Sequence, residues 1–125
     1  MKKITQQQAR ELTATKIMGW VLPHNEWLGG FEYYADQDNP TKCCCYVKDW
    51  NPLAPDKLHQ CEQLVAKLTG KGWRFNSCFM SHWSVWIDNY TDKEARCNNK
   101  SLSHAIVSAV LQAADPNNEQ YEIEE

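Results

Sequence analysis

Between Asp56 and Gly70 the apolar residues Leu58, Cys61, Leu64, Val65 and Leu68 recur at spacings that place them on one face of an α-helix. Two aromatic-rich runs follow at once. Trp73, Phe75 and Phe79 alternate with Arg74, Asn76 and Cys78; after Ser81 and His82, Trp83, Val85 and Ile87 alternate with Ser84, Trp86 and Asp88. A helix leading into a hairpin restricts the architecture strongly. It carries no reactive constellation.

The remaining segments build around that unit. Thr5 and Gln8 have the spacing of a capping box, so a first helix is expected from about Thr5 to Met18, stopped by Gly19. Its apolar residues Ala9, Leu12, Ile17 and Met18 form a ragged stripe, which predicts a peripheral helix whose C-terminal end grips the core. Pro23, Gly29, Gly30, Asn39 and Pro40 punctuate the next stretch, which reads as short strands near Trp20–Leu22, Phe31–Ala35 and Cys43–Lys48. Asp36 to Pro40 is a turn by composition. Asn89 to Lys100 reads as an exposed loop, and Leu102, Ala105, Ile106, Ala109, Val110 and Ala113 define a last helix with Gln112 on its exposed side. The order helix, short strands, helix, two strands, helix predicts an α+β domain with a mostly antiparallel sheet layered with helices.

At 125 residues the chain is the size of one domain. Its net charge of −3 is unevenly distributed, because five acidic residues and no basic ones fall in the last eleven positions. Elsewhere thirteen basic residues against eleven acidic ones leave residues 1–114 at +2. That balance argues against a protein that coats nucleic acid. Residues 115–125 are expected to be an acidic tail, with Asn117 to Glu125 too poor in apolar side chains to pack. Met1 to Gln8 has no apolar run of the signal-peptide kind, so the six cysteines are expected to be reduced thiols of a cytoplasmic protein. No run approaches the ~18 apolar residues of a membrane span.

Three blocks, Lys16-Ile17-Met18-Gly19-Trp20, Trp50-Asn51-Pro52 with Leu68-Thr69-Gly70-Lys71-Gly72-Trp73, and Ala105 to Ala113, together resemble the phage ABA sandwich domain family. They are spread over residues 10–114. The resemblance implies small proteins of phages and prophages, acting in the host bacterial cytoplasm, with a sheet layered between helices and no assigned activity. Neither the Cys43-Cys44-Cys45 run nor the acidic end belongs to that pattern.

Chemistry in the residues themselves is sparse. Cys43, Cys44, Cys45, His59 and Cys61 lack the paired C-x-x-C knuckles of a structural zinc site. Strand alternation would put Cys43 and Cys45 on one side and Cys44 on the other, and Cys61 lies on an apolar stripe. No metal or other cofactor is expected. Cys78, His82 and Asp88 lie on adjacent strands and could form a nucleophilic set, but His82 falls at a hairpin tip and no nucleophile elbow accompanies it. His24 in a turn, His59 on the polar side of a helix and His104 in the first turn of the last helix have ordinary explanations. No enzyme is expected.

The aromatic residues are the informative surplus. Trp73, Trp83 and Trp20 suit the buried side of the sheet, leaving Trp86, Tyr46 and one of Tyr33 or Tyr34 on the other side. If helices cover that side these residues are core; if it is open, they suit a protein partner or a flat base. Lys67, Lys71 and Arg74 gather at the end of the second helix, where they form a solvated rim or a phosphate contact. With the phage setting that the resemblance implies, the expected function is that of a non-catalytic accessory protein that binds, and inhibits, a host protein such as a defence factor. The alternative is a binder that sequesters a nucleotide-like signal, stacking on Trp86 and meeting phosphate with Lys71 or Arg74. Assembly into an oligomer is compatible with either.

Overall fold

A computed structural model describes residues 1–23, 31–90 and 93–124, so His24, Gly29 and Gly30 lie outside the described residues. Strand β1 (Lys2–Ile4) precedes helix α1 (Gln6–Leu12). The capping box forms: Gln8 N–H donates to Thr5 Oγ1 at 3.1 Å, and Thr5 N–H donates to Gln8 Oε1 at 2.9 Å. The helix then widens into a π-helical turn, Thr13–Ile17, and Gly19 ends it at φ 73°. Ala9, Thr13, Ala14 and Ile17 form its buried side, so Ala9 and Ile17 face inward as expected and are joined by Thr13 and Ala14, which the expected stripe omits.

Strands β2 (Tyr33–Asp36) and β3 (Asn39–Tyr46) make an antiparallel hairpin. Its turn is narrower than composition suggests, because Asn39 already pairs with Asp36. Tyr34 pairs with Cys45 and Ala35 with Cys43, which leaves Cys44 as the extra residue of a β-bulge. The strict alternation expected for the three cysteines is therefore broken at its centre. The strand expected near Trp20–Leu22 is reduced to one bridge between Val21 and Ala35. Tyr33 and Tyr34 are both buried, so neither is available to an outer surface.

Trp50, 1% exposed, lies in the core beside the first helix. Its indole N–H donates to Thr13 Oγ1 at 3.1 Å, its carbonyl accepts from Arg10 Nε at 2.8 Å, and the Trp20 ring meets it edge-on at 5.0 Å. A 3₁₀ turn, Pro55–Lys57, leads into α2 (Leu58–Thr69), which buries Cys61, Leu64 and Leu68 as expected. Leu58 is 40% exposed, and Gln60 is buried instead. The Gln60 amide accepts from Asn51 N–H at 2.7 Å and donates to the Asp49 carbonyl at 2.8 Å, satisfying backbone groups that the preceding loop leaves unpaired.

β4 (Arg74–Phe79) and β5 (Trp83–Asp88) form the expected hairpin, and a third antiparallel strand, β6 (Glu94–Asn99), pairs with β5 inside the stretch expected to be loop. Helix α3 (Leu102–Ala114) packs across this sheet on one side and against α2 and the π-helical turn on the other. That central position explains why Val107, Leu111 and Gln112 are buried along with the expected stripe. Gln112 is not exposed: its Oε1 accepts from Arg96 N–H at 3.1 Å and its Nε2 donates to the Asn118 carbonyl at 3.2 Å.

The last strand, β7 (Tyr121–Ile123), pairs in parallel with β1, with Lys2 opposite Tyr121 and Ile4 opposite Ile123. The free acidic tail expected here is thus part of the fold, since Tyr121 and Ile123 pack on the core while Glu122 and Glu124 stay exposed. The described residues form an α+β fold with three α-helices and sheets of two, two and three strands, antiparallel apart from β1–β7. The separate β1–β7 and β2–β3 sheets, and strands before the first helix and after the last, distinguish it from the expected order. None of the helices is long and apolar enough to cross a membrane among the described residues.

Candidate binding face on the three-stranded sheet

Register assigns each side chain of the three-stranded sheet to a face. Val85, Ile87 and Ala95 point toward α3 and are buried. Their neighbours turn the other way: Arg74, Asp88 and Glu94 form one row, Asn76, Trp86 and Arg96 the next, and Cys78, Ser84 and Asn98 the last. Arg74, Cys78, Glu94, Arg96 and Asn98 are exposed, so this side is open.

Trp86 sits at the middle of that face, half-buried, with the Arg96 guanidinium 5.8 Å from its ring. Arg96 also reaches Glu94 at 2.7 Å. Arg74 donates to Asp88 Oδ2 through both Nε and Nη2, at 3.3 and 3.0 Å, and lies 4.5 Å from the centre of the Tyr90 ring. Tyr90 is 67% exposed and holds φ 68°, with its N–H bonded to Asp88 Oδ1 at 3.1 Å. A bulky residue rarely adopts that conformation. The face thus presents a tryptophan, a tyrosine and two guanidinium groups held in place by carboxylates, a composition suited to contact with a protein. At the end of the β4–β5 hairpin, Phe79 and Met80 are 57% and 83% exposed, and the Phe79 ring packs at 5.1 Å on Trp83.

Of the residues singled out by sequence, Trp86 and Arg74 share this face. Tyr46 does not: it belongs to β3, pairs with Tyr33, and packs at 6.0 Å edge-on to Phe31, over which the Lys48 ammonium lies at 3.6 Å. Lys67 is exposed on α2, which packs on the covered side of the sheet, and Lys71 is exposed in the turn after it. Neither has an ion pair among the described residues. Arg96 and Tyr90 were missed by sequence reasoning. Arg96 becomes visible only once β6 is recognised, which places it directly opposite Trp86.

The thiols are dispersed and largely passive. All six are free. Burial pushes the Cys61 thiol up to about 12, and burial likewise raises Cys44, Cys45 and Cys97, which disfavours the thiolate that nucleophilic or metal chemistry needs. Cys78 stands opposite Ser84, four residues along the strand from Asp88, a separation of roughly 13 Å at the usual strand rise. Asp88 is engaged by Arg74, and His82 Nδ1 by Ser81 at 3.0 Å, so the Cys78, His82 and Asp88 set is not assembled. Among the described residues no three His, Cys, Asp or Glu side chains converge on a point that would hold a metal ion.

The fold and this face define a class: a small α+β protein with one covered and one open sheet surface. Comparison with protein-family models, with curated proteins and with solved structures gave no match.

Proposed function

We propose that this chain is a non-catalytic accessory protein of phage or prophage origin that binds a host protein in the bacterial cytoplasm, and that it binds through the open face around Trp86. The observation that carries this reading is Trp86 at the centre of an uncovered sheet face, flanked by Arg96 and by the Arg74–Tyr90 pair. Tryptophan, tyrosine and arginine dominate interface hot spots, and pre-ordered guanidinium groups lose less freedom on binding. Inhibition of the bound host factor, and kinship with the phage ABA sandwich domain family with its layered arrangement, belong to the same proposal. The order and spacing of the three sequence blocks support the kinship.

A nucleotide-like ligand is the weaker reading. Arg74 is already bound to Asp88, Arg96 to Glu94, and Lys67 lies on the helix side of the sheet, so the cations placed around Trp86 among the described residues are already paired. Purification from a bacterial cytoplasm under native conditions, followed by mass spectrometry, separates the two. The proposal expects one host protein that co-purifies in near-stoichiometric amount and is lost from Trp86→Ala. A nucleotide retained by the wild type and lost from the same variant would overturn it.

A further inference from the structure

The three-stranded sheet has two outer edges, and one of them is blunted. On β6, Arg96 N–H donates to Gln112 Oε1 and the Glu94 carbonyl accepts from Asn118 Nδ2, so side chains occupy places that a further strand would fill. On β4 the direction of the backbone groups follows from the hairpin turn. Met80 N–H donates to the His82 carbonyl at 3.2 Å, which makes Met80 and His82 a hydrogen-bonded pair and, by alternation, directs the backbone of Asn76 and Cys78 toward β5. The N–H and C=O groups of Phe75, Ser77 and Phe79 therefore point outward. Among the described residues no hydrogen bond reaches them, and β4 has no neighbouring strand but β5.

Edge strands are usually kept from pairing by charge, proline or a bulge. The register of β4 on β5 runs without a shift from Arg74 to Phe79, and neither a charged residue nor a proline occurs from Phe75 to Met80. Ser77, Cys78 and Phe79 are exposed, and Met80 beyond them is 83% exposed. The strand is also complementary to itself. A two-fold axis normal to the sheet through Ser77 brings Ser77 opposite its own copy and Phe75 opposite the copy's Phe79, so each outward donor meets an outward acceptor. The opposed phenylalanines share the helix side of the sheet with Ile87 and Trp83, their partners on β5. Arg74, the one charged residue of β4, falls opposite Met80 of the copy rather than against itself. Other two-fold registers engage less of the edge. An axis at Phe75 sets Ser77 against Trp73, whose N–H is taken by the Leu68 carbonyl, and an axis at Phe79 runs past the end of the strand.

We infer that β4 pairs antiparallel with β4 of a second copy of this chain, joining two three-stranded sheets into one across a two-fold axis at Ser77. The exposed Phe79 ring gains Phe75 of the second copy as a neighbour. Because the axis is normal to the sheet, both Trp86 faces lie on the same side of the joined sheet, and the dimer presents two copies of that face to a partner. The inference does not rest on the host-protein reading, and its test needs no host protein.

The test is sedimentation velocity on the full chain from about 5 µM to about 1 mM, a span that covers the weak affinities of small interfaces. The wild type should pass from monomer to dimer across it, and amide exchange at Ser77 and Phe79 should slow by about tenfold or more as it does. Ser77→Lys and Ser77→Glu each set like charges against one another at the axis, and each alone should remain monomeric with a circular dichroism spectrum like that of the wild type. An equimolar mixture of the two should restore the dimer, because opposite charges then meet where Ser77 faces its copy. Ser77→Pro removes an outward donor, leaves the β4–β5 ladder intact, and should also be monomeric. A wild type that stays monomeric throughout would overturn the inference. So would a dimer that persists in Ser77→Lys, and so would a mixture of the two charge variants no more associated than either alone.

Discussion

The Tyr121 hydroxyl donates to Asp115 Oδ1 at 2.9 Å, tying the last strand to the residue that ends α3. The other carboxylate oxygen accepts from Asn117 N–H at 2.9 Å and Glu119 N–H at 3.1 Å, while the Lys2 ammonium of β1 approaches Oδ1 at 3.5 Å. One carboxylate therefore organises the return of the chain from α3 to the β1–β7 pair. A negative charge at a helix C-terminus opposes the helix dipole, so its retention here depends on these donors.

This arrangement makes a pH prediction. Backbone donation from Glu119, aided by Tyr121, Asn117 and Lys2, holds the Asp115 carboxyl below its ordinary value against the opposing effect of desolvation. A group lowered in the fold contributes stability above its unfolded pKa of ~3.9 and loses it as pH falls through the folded value. Urea unfolding at pH 6 and pH 3 should show a larger loss for the wild type than for Asp115→Asn. Equal losses would show that Asp115 is not the linkage. In the same segment, Tyr121→Phe should cost about 0.5 to 3 kcal/mol, and amide exchange at Glu122 and Glu124, whose N–H groups face β1, should be slow.

Gln112 gives a second test, because burial reverses what its place on the helix wheel implies. Gln112→Ala strips partners from Arg96 N–H and the Asn118 carbonyl and should cost about 1 to 3 kcal/mol. Ile106→Ala, at a buried apolar position, should cost about 2 to 5 kcal/mol. Denaturant midpoints check both. A Gln112→Ala protein as stable as the wild type would contradict the described geometry.

Thiol reactivity should divide sharply. Cys78 is exposed, whereas Cys61 is buried, with its thiol pushed up to about 12. Iodoacetamide at pH 8 followed by peptide mass spectrometry should label Cys78 first and Cys61 only after denaturation. Early labelling of Cys61 would mean that α2 is not packed as described.

Backbone strain at Tyr90 can be separated from the function of its ring. At φ 68° a β-branched residue is disfavoured, so Tyr90→Val should be less stable than Tyr90→Gly by about 1 kcal/mol or more. Thermal melts of the two variants measure this. Equal stabilities would show that the left-handed conformation is not maintained in solution.

What could be read from the sequence followed the reach of its signals. Helices α2 and α3 and the β4–β5 hairpin announce themselves because periodic burial leaves periodic hydropathy. β6 does not, since Ala95 and Cys97 are its only apolar inward residues within a run of charged and amide residues that strands usually avoid. β7 is hidden for a different reason: its partner β1 lies at the other end of the chain, and three residues hold too little pattern to be recognised alone. The candidate site divides along the same line. Alternation along one strand placed Trp86 opposite Val85 and Ile87, but grouping it with Tyr46 required knowing which strands pair, and these two belong to separate sheets.

The central claim, that the open face around Trp86 is the binding surface, is tested most directly by calorimetric titration of the co-purifying host protein. The wild type, Trp86→Ala and Tyr46→Ala, each verified as folded, are compared. Trp86→Ala should weaken binding by about 2 kcal/mol or more, roughly thirtyfold, with Tyr46→Ala close to the wild type. Unchanged affinity for Trp86→Ala, or a loss confined to Tyr46→Ala, would contradict the account and move the interface to the β2–β3 hairpin.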